Sequence, residues 1–208
     1  MTAKDIGRLY VVAAPSGAGK TSLLRAILEQ VPNTVVSISY TTRTKREKEQ
    51  EGVDYRFVTD SEFQKMVGAG EFLEHARVFD HSYGTARKDV ASLRQNKLNV
   101  VLEIDWQGAS QVREIMPDSE SIFILPPTRQ ALESRLRERS TDSDEVIKRR
   151  LADSVADMSH WDEFDYIVVN DEFDTAVDEL REIVSGNGGR YRKNRARLKD
   201  LVSDLLGE

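Results

Sequence analysis

Residues 8–25 read RLYVVAAPSGAGKTSLLR. A short β-branched run ends in a loop of small residues, and Gly19, Lys20 and Thr21 then open a helical pattern. In that strand–loop–helix context, G-x-x-x-x-G-K-[ST] is a phosphate-binding loop and not a chance string. Ala14, Pro15, Ser16, Gly17, Ala18 and Gly19 form the loop; Lys20, Thr21 and Ser22 begin the helix. Backbone N–H groups of both would point at phosphate oxygens, Lys20 would reach the terminal phosphates, and the Thr21 hydroxyl would face Mg²⁺. The first motif position holds Ala14 in place of glycine, which a turn accepts where φ stays negative. The plainer reading is a Gly-rich connection with a solvent-facing lysine.

Outward from this loop the chain alternates. Buried-strand candidates are residues 9–13, 35–39, 99–104, 121–125 and 166–169, short Val/Ile/Leu runs suited to a parallel sheet covered on both faces. Helical patterns fall at 20–30, 106–116, 128–139, 144–160 and 173–184. The alternation predicts an α/β layered fold with crossover helices. Two stretches interrupt it. Residues 40–96 carry a charged run, an aromatic-rich region (Tyr55, Phe57, Phe63, Phe72, Phe79, Tyr83) and short strand candidates, enough for a small inserted subdomain. Residues 127–158 include six arginines between positions 129 and 150. Beyond Ser185, GNGG reads as a helix stop, and a basic tail leads into an amphipathic Leu198/Leu201/Val202/Leu205 pattern. That tail reads as a solvated helix end; contact with nucleic acid or a second subunit is the other reading.

Composition narrows the class. The 208 residues suffice for one α/β domain with insertions or two small domains. Apolar residues at 39% and charged residues at 32% describe a soluble globular protein. No stretch approaches the ~18–20 apolar residues of a membrane span. The apolar run 9–14 is too short for a signal peptide. Without cysteine, disulfides and thiolate metal sites are excluded, which suits a reducing cytoplasm. With a formal net charge of −6, a protein that handles polyphosphates must gather positive charge locally, so arginine clusters are informative. His75, His81 and His160 are isolated and show neither metal-ligand spacing nor a hydrolase constellation.

Three further constellations carry chemistry. Residues 100–108, VVLEIDWQG, place Glu103 and Asp105 at the end of a buried strand, where carboxylates hold Mg²⁺ directly or through water. The competing reading is a carboxylate that caps the next helix. D-x-x-G at 105–108 also matches a GTPase switch. However, the nearest guanine-reading string, Asn96-Lys97-Leu98-Asn99, lacks the required carboxylate and precedes a strand. Residues 37–46, SISYTTRTKR, hold Arg43 and Arg46 three apart, followed by Glu49, Gly52, Asp54 and Tyr55. Residues 45–51 alone are an ordinary solvated charge run. Two guanidinium forks and a tyrosine hydroxyl can instead clamp a phosphate dianion. Arg135 and Arg139 share a helical face at i,i+4, with Arg149 and Arg150 beyond them.

These motifs, with Glu71-Phe72-Leu73-Glu74, Tyr83-Gly84-Thr85 and Val169-Asn170-Asp171, occur in the order seen in guanylate kinases. The chain resembles a bacterial-type member over roughly residues 8–185. The resemblance implies a P-loop NTPase three-layer α/β core with a parallel sheet (1–38, 97–126 and 159–208). It also implies an inserted mixed α/β nucleotide-monophosphate-binding subdomain (39–96) and a helical lid (127–158). The implied activity is reversible transfer of the ATP γ-phosphoryl group to GMP, and to dGMP, with Mg²⁺ accompanying ATP. Arg43, Arg46, Tyr55 and Tyr83 would clamp the GMP phosphate, and Glu49 would brace the arginines. Glu74, in isolation an ordinary exposed glutamate, would read guanine. A carboxylate is acceptor-only and takes N1–H and N2–H together, a pair adenine lacks. Ser39 would approach O6; Gly84, Thr85, Glu103 and Asp105 would complete the GMP site. Thr21, and Asp105 through water, would hold the metal; Asn170 would join the ATP site. Lys20, Arg43, Arg135, Arg139 and Arg150 would supply the catalytic positive field. The family commonly shows Arg-Gly after the second lid arginine, where this chain has Arg139-Ser140.

The implied partners are ATP/ADP and GMP/GDP, without membrane or nucleic acid, in the cytoplasm; a homo-oligomer is left open. Two rival functions share part of the pattern. A kinase of another phosphorylated acceptor, such as ribose bisphosphate, would keep the loop without needing Ser39, Glu74 and Thr85. A non-catalytic guanylate-kinase-like binding module would usually have a degraded phosphate loop.

Overall fold

The computed structural model describes residues 6–78, 80–138, 143–192 and 195–207. In chain order the elements are β1 (Leu9–Ala13), α1 (Lys20–Gln30), β2 (Thr34–Val36), β3 (Tyr40–Thr41), β4 (Arg56–Phe57), α2 (Asp60–Gly68), β5 (Phe72–Val78), β6 (His81–Ala86) and α3 (Arg87–Gln95). There follow β7 (Asn99–Glu103), α4 (Trp106–Ile115), β8 (Glu120–Leu125), α5 (Arg129–Glu138), α6 (Asp144–Met158), β9 (Tyr166–Val169), α7 (Phe173–Glu182) and α8 (Arg195–Leu206). The protein is thus α/β, as the alternation predicts.

Five strands form one sheet in the order β2-β7-β1-β8-β9. The pairs β2/β7 and β8/β9 are parallel, with Thr34 opposite Asn99 and Ile122 opposite Tyr166. Every residue of β1 is buried, the signature of a central strand covered on both faces. A second sheet runs β4-β3-β6-β5, with β6 antiparallel to both its neighbours. It has its own small core of Tyr40, Phe63, Phe72 and Ala86, with Val58, Met66 and Val67 against it. The Phe63 and Phe72 rings stack at 4.6 Å. Helix α2, which delivers Phe63, starts at a reciprocal capping box. The Thr59 N–H donates to Glu62 Oε2 at 2.8 Å, and the Glu62 N–H donates to Thr59 Oγ1 at 3.2 Å. Of the aromatic-rich stretch, Phe63 and Phe72 lie in this core, Tyr55, Phe57 and Tyr83 are half-buried, and Phe79 lies outside the described residues.

The chain groups into two compact units, Met1–Val11 with Asn33–Ser119, and Val12–Pro32 with Glu120–Glu208. The first holds the four-stranded sheet, α2, α3, β7 and α4. The second holds the loop after β1, α1, and the elements from β8 to α8. Within the second unit, α1 buries Leu23, Leu24 and Ile27, and α7, which contacts it, buries Ala176, Val177 and Leu180.

Differences from the sequence reading are local. The strand expected at 35–39 runs Thr34–Val36; Ser37 still donates its N–H to Val101 at 3.0 Å before the chain turns away. The helix expected to 184 ends at Glu182 and passes through a wider turn to Gly186, whose φ of 83° stops it. The expected helix at 128–139 is seen as Arg129–Glu138, its last position lying outside the described residues.

Candidate active site

The second unit carries the phosphate loop. Helix α1 starts at Gly19, whose φ of 95° lies in the left-handed region, and no side chain caps it. Its first-turn N–H groups thus lack the capping oxygen most helices supply, the condition in which an anion is bound best. A Cβ on Gly19 would come within 2.3 Å of Asn170 Nδ2, so glycine is required here by both conformation and space. Lys20 is half-buried at the first helical position, and Thr21 and Ser22 are exposed beside it.

Several side chains grip this loop from behind. Asn170, following β9, is buried and donates Nδ2 to the Ala18 carbonyl at 2.7 Å. Arg135 on α5 donates Nη2 to the Asn170 carbonyl at 3.0 Å. Arg150 on α6 donates Nη2 to Ser16 Oγ at 3.1 Å, and Ser154, one turn later, donates Oγ to the Ser16 carbonyl at 3.1 Å. Two of the three expected lid arginines are thus tied to loop or loop-bracing residues. The third, Arg139, lies outside the described residues. Ser154 was not legible as a site residue: a lone serine on a helix signals nothing without knowledge of the carbonyl it faces.

The first unit carries the other constellation. Arg43 forms a two-pronged pair with Glu49, Nη1 to Oε2 at 3.0 Å and Nη2 to Oε1 at 2.6 Å. Its guanidinium lies 5.4 Å from the Tyr55 ring centroid, and the Tyr55 and Tyr83 rings meet edge-on at 6.0 Å. Glu49 Oε2 also accepts the Arg46 N–H at 2.8 Å, which pins the turn joining the two arginines. Hydrogen bonds from Arg43 and from this N–H hold the Glu49 carboxyl below the usual carboxylate range. The Arg46 side chain is exposed. Ser39 is half-buried and uses its carbonyl to accept the Arg56 N–H at 2.9 Å.

Glu74 departs most from its appearance in the sequence: it is only 4% exposed. Strand pairing sets it opposite Thr85, whose hydroxyl donates to Oε1 at 2.6 Å; Gly84 sits opposite Tyr40 and Tyr83 opposite Thr41. Gly108 of α4 closes over the other oxygen, a Cβ there falling 2.7 Å from Oε2. Burial pushes the Glu74 carboxyl up to about 7, with the Asp105 charge adding to it and the Thr85 hydroxyl opposing it. Gln111, also unread from the sequence, braces the strand at this point. Its amide accepts the His75 N–H at 3.1 Å and donates to the His75 carbonyl at 2.9 Å.

Asp105 is the N-cap of α4, its Oδ1 accepting the Gly108 N–H at 2.8 Å, so the capping reading of this carboxylate is realised. Glu103 is half-buried at the end of β7. Among the described residues no group of three or more His, Cys, Asp or Glu side chains could hold a metal ion. The oxygens the sequence reading assigns to a metal, the Thr21 hydroxyl and the Asp105 carboxylate, are hard ligands of the kind Mg²⁺ takes singly beside substrate phosphates.

The chain is similar in sequence and in structure to known proteins of one family. A family model described as guanylate kinase matches residues 6–187. The guanylate kinase of Methylococcus capsulatus is 51% identical over 201 residues, covering 97% of this chain and 98% of that protein. That of Salmonella typhimurium is 48% identical over 204 residues, with 97% and 99% covered. The crystal structure of guanylate kinase from Anaplasma phagocytophilum aligns with a TM-score of 0.72 at 31% identity, over 96% of this chain and 95% of that one.

Proposed function

This chain belongs to the guanylate kinase family, and from that premise we propose which of its residues serve each substrate. The activity itself is that of a nucleoside monophosphate kinase: the γ-phosphoryl group of ATP passes to GMP, giving ADP and GDP. In our reading, Ala14, Pro15, Ser16, Gly17, Ala18, Gly19, Lys20, Thr21, Ser22 and Asn170 bind ATP. Ser39, Arg43, Arg46, Glu49, Tyr55, Glu74, Tyr83, Gly84, Thr85, Glu103 and Asp105 bind GMP, and dGMP with it. The three-part division into core (1–38, 97–126, 159–208), GMP subdomain (39–96) and lid (127–158) goes with this assignment.

One observation carries the acceptor assignment: a buried carboxylate with no cation paired to it among the described residues, held by a hydroxyl from the next strand. Such a group is costly unless donors arrive to meet it, and guanine brings two, N1–H and N2–H. No general base is required. The nucleophile is a GMP phosphate oxygen, and a phosphate monoester with its second pKa of about 6 is largely ionised near neutrality. Catalysis then rests on aligning the two phosphates and neutralising charge as the γ-phosphoryl moves. Arg43 enters that task preset by Glu49; Lys20, Arg135, Arg139 and Arg150 supply the positive field.

Mg²⁺ would arrive with ATP, taking an oxygen from Thr21 and, through water, from Asp105, and would neutralise phosphate charge. No helix among the described residues is long and apolar enough to cross a membrane, and we place the enzyme in the cytoplasm, working as one or several copies.

An acceptor panel tests the reading: GMP, dGMP, AMP, UMP, CMP and ribose 1,5-bisphosphate with MgATP, run beside Glu74→Gln. GMP and dGMP should be the substrates, and the variant should lose GMP use selectively. A preference for AMP, or unaltered GMP use by the variant, removes Glu74 as the guanine reader.

A further inference from the structure

We infer that Ser154 is a positioning residue for the phosphate loop, holding the Ser16–Gly17 peptide so that the Gly17 N–H faces the phosphates of ATP. This rests on the assignment of residues 14–21 as the ATP loop.

The loop contains a four-residue turn. The Ala18 N–H donates to the Pro15 carbonyl at 3.2 Å, and Gly17, third in the turn, has a φ of 89°. A positive φ at that position marks a type II turn, whose central peptide is flipped relative to type I. The two types interconvert by rotation of that single plane. What holds its carbonyl therefore decides where its N–H points. Here the carbonyl belongs to Ser16, and it accepts the Ser154 hydroxyl at 3.1 Å. A planar trans peptide then sends the Gly17 N–H to the opposite side.

That N–H has no hydrogen-bond acceptor among the described residues, although Gly17 is buried. A buried backbone donor without a partner is rare and calls for a ligand. The surroundings reinforce the orientation. Arg150, four residues before Ser154 on the same face of α6, holds the Ser16 hydroxyl, so one helix face grips both the side chain and the backbone of residue 16. Two residues on, Asn170 draws the Ala18 carbonyl outward, which turns the Gly19 N–H the other way by the same planarity. Positive φ at Gly17 and Gly19, with Ala18 outside that region, is the alternation that makes successive N–H groups converge on an anion. Ser154 is fully buried, so its hydroxyl acts through the loop and not on the nucleotide.

The test compares wild type with Ser154→Ala, Ser154→Cys and Lys20→Ala, measuring KM for MgATP, KM for GMP, kcat and thermal unfolding. Loss of one orienting hydrogen bond should raise KM for MgATP in Ser154→Ala roughly three- to tenfold. KM for GMP should stay within about twofold, and Ser154→Cys, a weak donor, should fall between. An unchanged KM for MgATP, or both KM values drifting together with a lowered melting temperature, overturns the positioning role. Lys20→Ala separates the two levels of inference. If it leaves ATP use intact, the loop assignment itself fails; if it abolishes ATP use while Ser154→Ala leaves MgATP untouched, only the role of Ser154 falls.

Discussion

If Glu74 reads guanine as we propose, its buried carboxylate makes GMP affinity a function of pH. The two hydrogen bonds proposed from guanine would require the ionised form, yet burial holds the free protein's carboxyl at about 7, against an ordinary 4.5. GMP must therefore displace a proton below that value. From a value of about 7, the ionised fraction falls about tenfold between pH 8 and pH 6, and affinity falls with it. The GMP phosphate, with a second pKa of about 6, adds about twofold over the same interval. Glu74→Gln removes the first contribution and retains the second. Calorimetric titration of GMP at pH 6, 7 and 8 should thus show a steep profile in wild type and a shallow, weak one in the variant. The same substitution has an opposite effect on the empty protein. A carboxyl whose folded value is raised contributes stability that is complete below pH 4.5 and is lost as pH rises through about 7. At 1.36 kcal/mol per tenfold change in proton affinity, wild type gives up about 3 kcal/mol by pH 8, and Glu74→Gln should recover much of it. A flat wild-type profile between pH 6 and 8, or an equal slope in the variant, would refute the reasoning.

Other expectations follow from single contacts. Asp105→Asn keeps a good helix cap but removes the charge that raises Glu74, so the midpoint of the GMP pH profile should move down while the melting temperature holds. Arg43→Lys cannot reproduce the two-pronged pair with Glu49, and KM for GMP should rise roughly tenfold or more with KM for MgATP steady in initial-rate assays. Gly19→Ala meets both a positive φ and a 2.3 Å approach to Asn170. It should cost at least about 1–2 kcal/mol in denaturant titrations, together with loss of ATP binding. Unimpaired ATP binding in that variant would show that Asn170 does not shape the loop.

How much the sequence reveals depends on how local each cause is. Strands β1 and β9 and helix α1 begin and end where the sequence predicts, because an unbroken apolar run, or a glycine just ahead of a helix, is written in adjacent residues. Arg43 and Arg46 are legible for the same reason, lying three apart in one run, whereas the bracing role of Glu49 comes with the family resemblance. Glu74 is not: its burial is made by Thr85 on the next strand and Gly108 on a later helix, and its own neighbours suggest an exposed side chain. The role we propose for it comes from family resemblance, which local pattern does not supply. Ser154 lies beyond both, since its partner is a main-chain carbonyl 138 positions away, and carbonyls leave no mark in a sequence.

That separation has a consequence in time. The phosphate loop is among the earliest segments made, yet the groups that grip it, Arg150, Ser154 and Asn170, lie 134, 138 and 152 residues downstream of their partners. At about 5–20 residues per second, translation leaves the loop without Asn170 for about 8 to 30 s. A nascent chain therefore carries the complete motif while lacking the scaffold that gives it shape. The shape of the loop, and with it the nucleotide binding proposed for it, thus waits until Asn170 has been made.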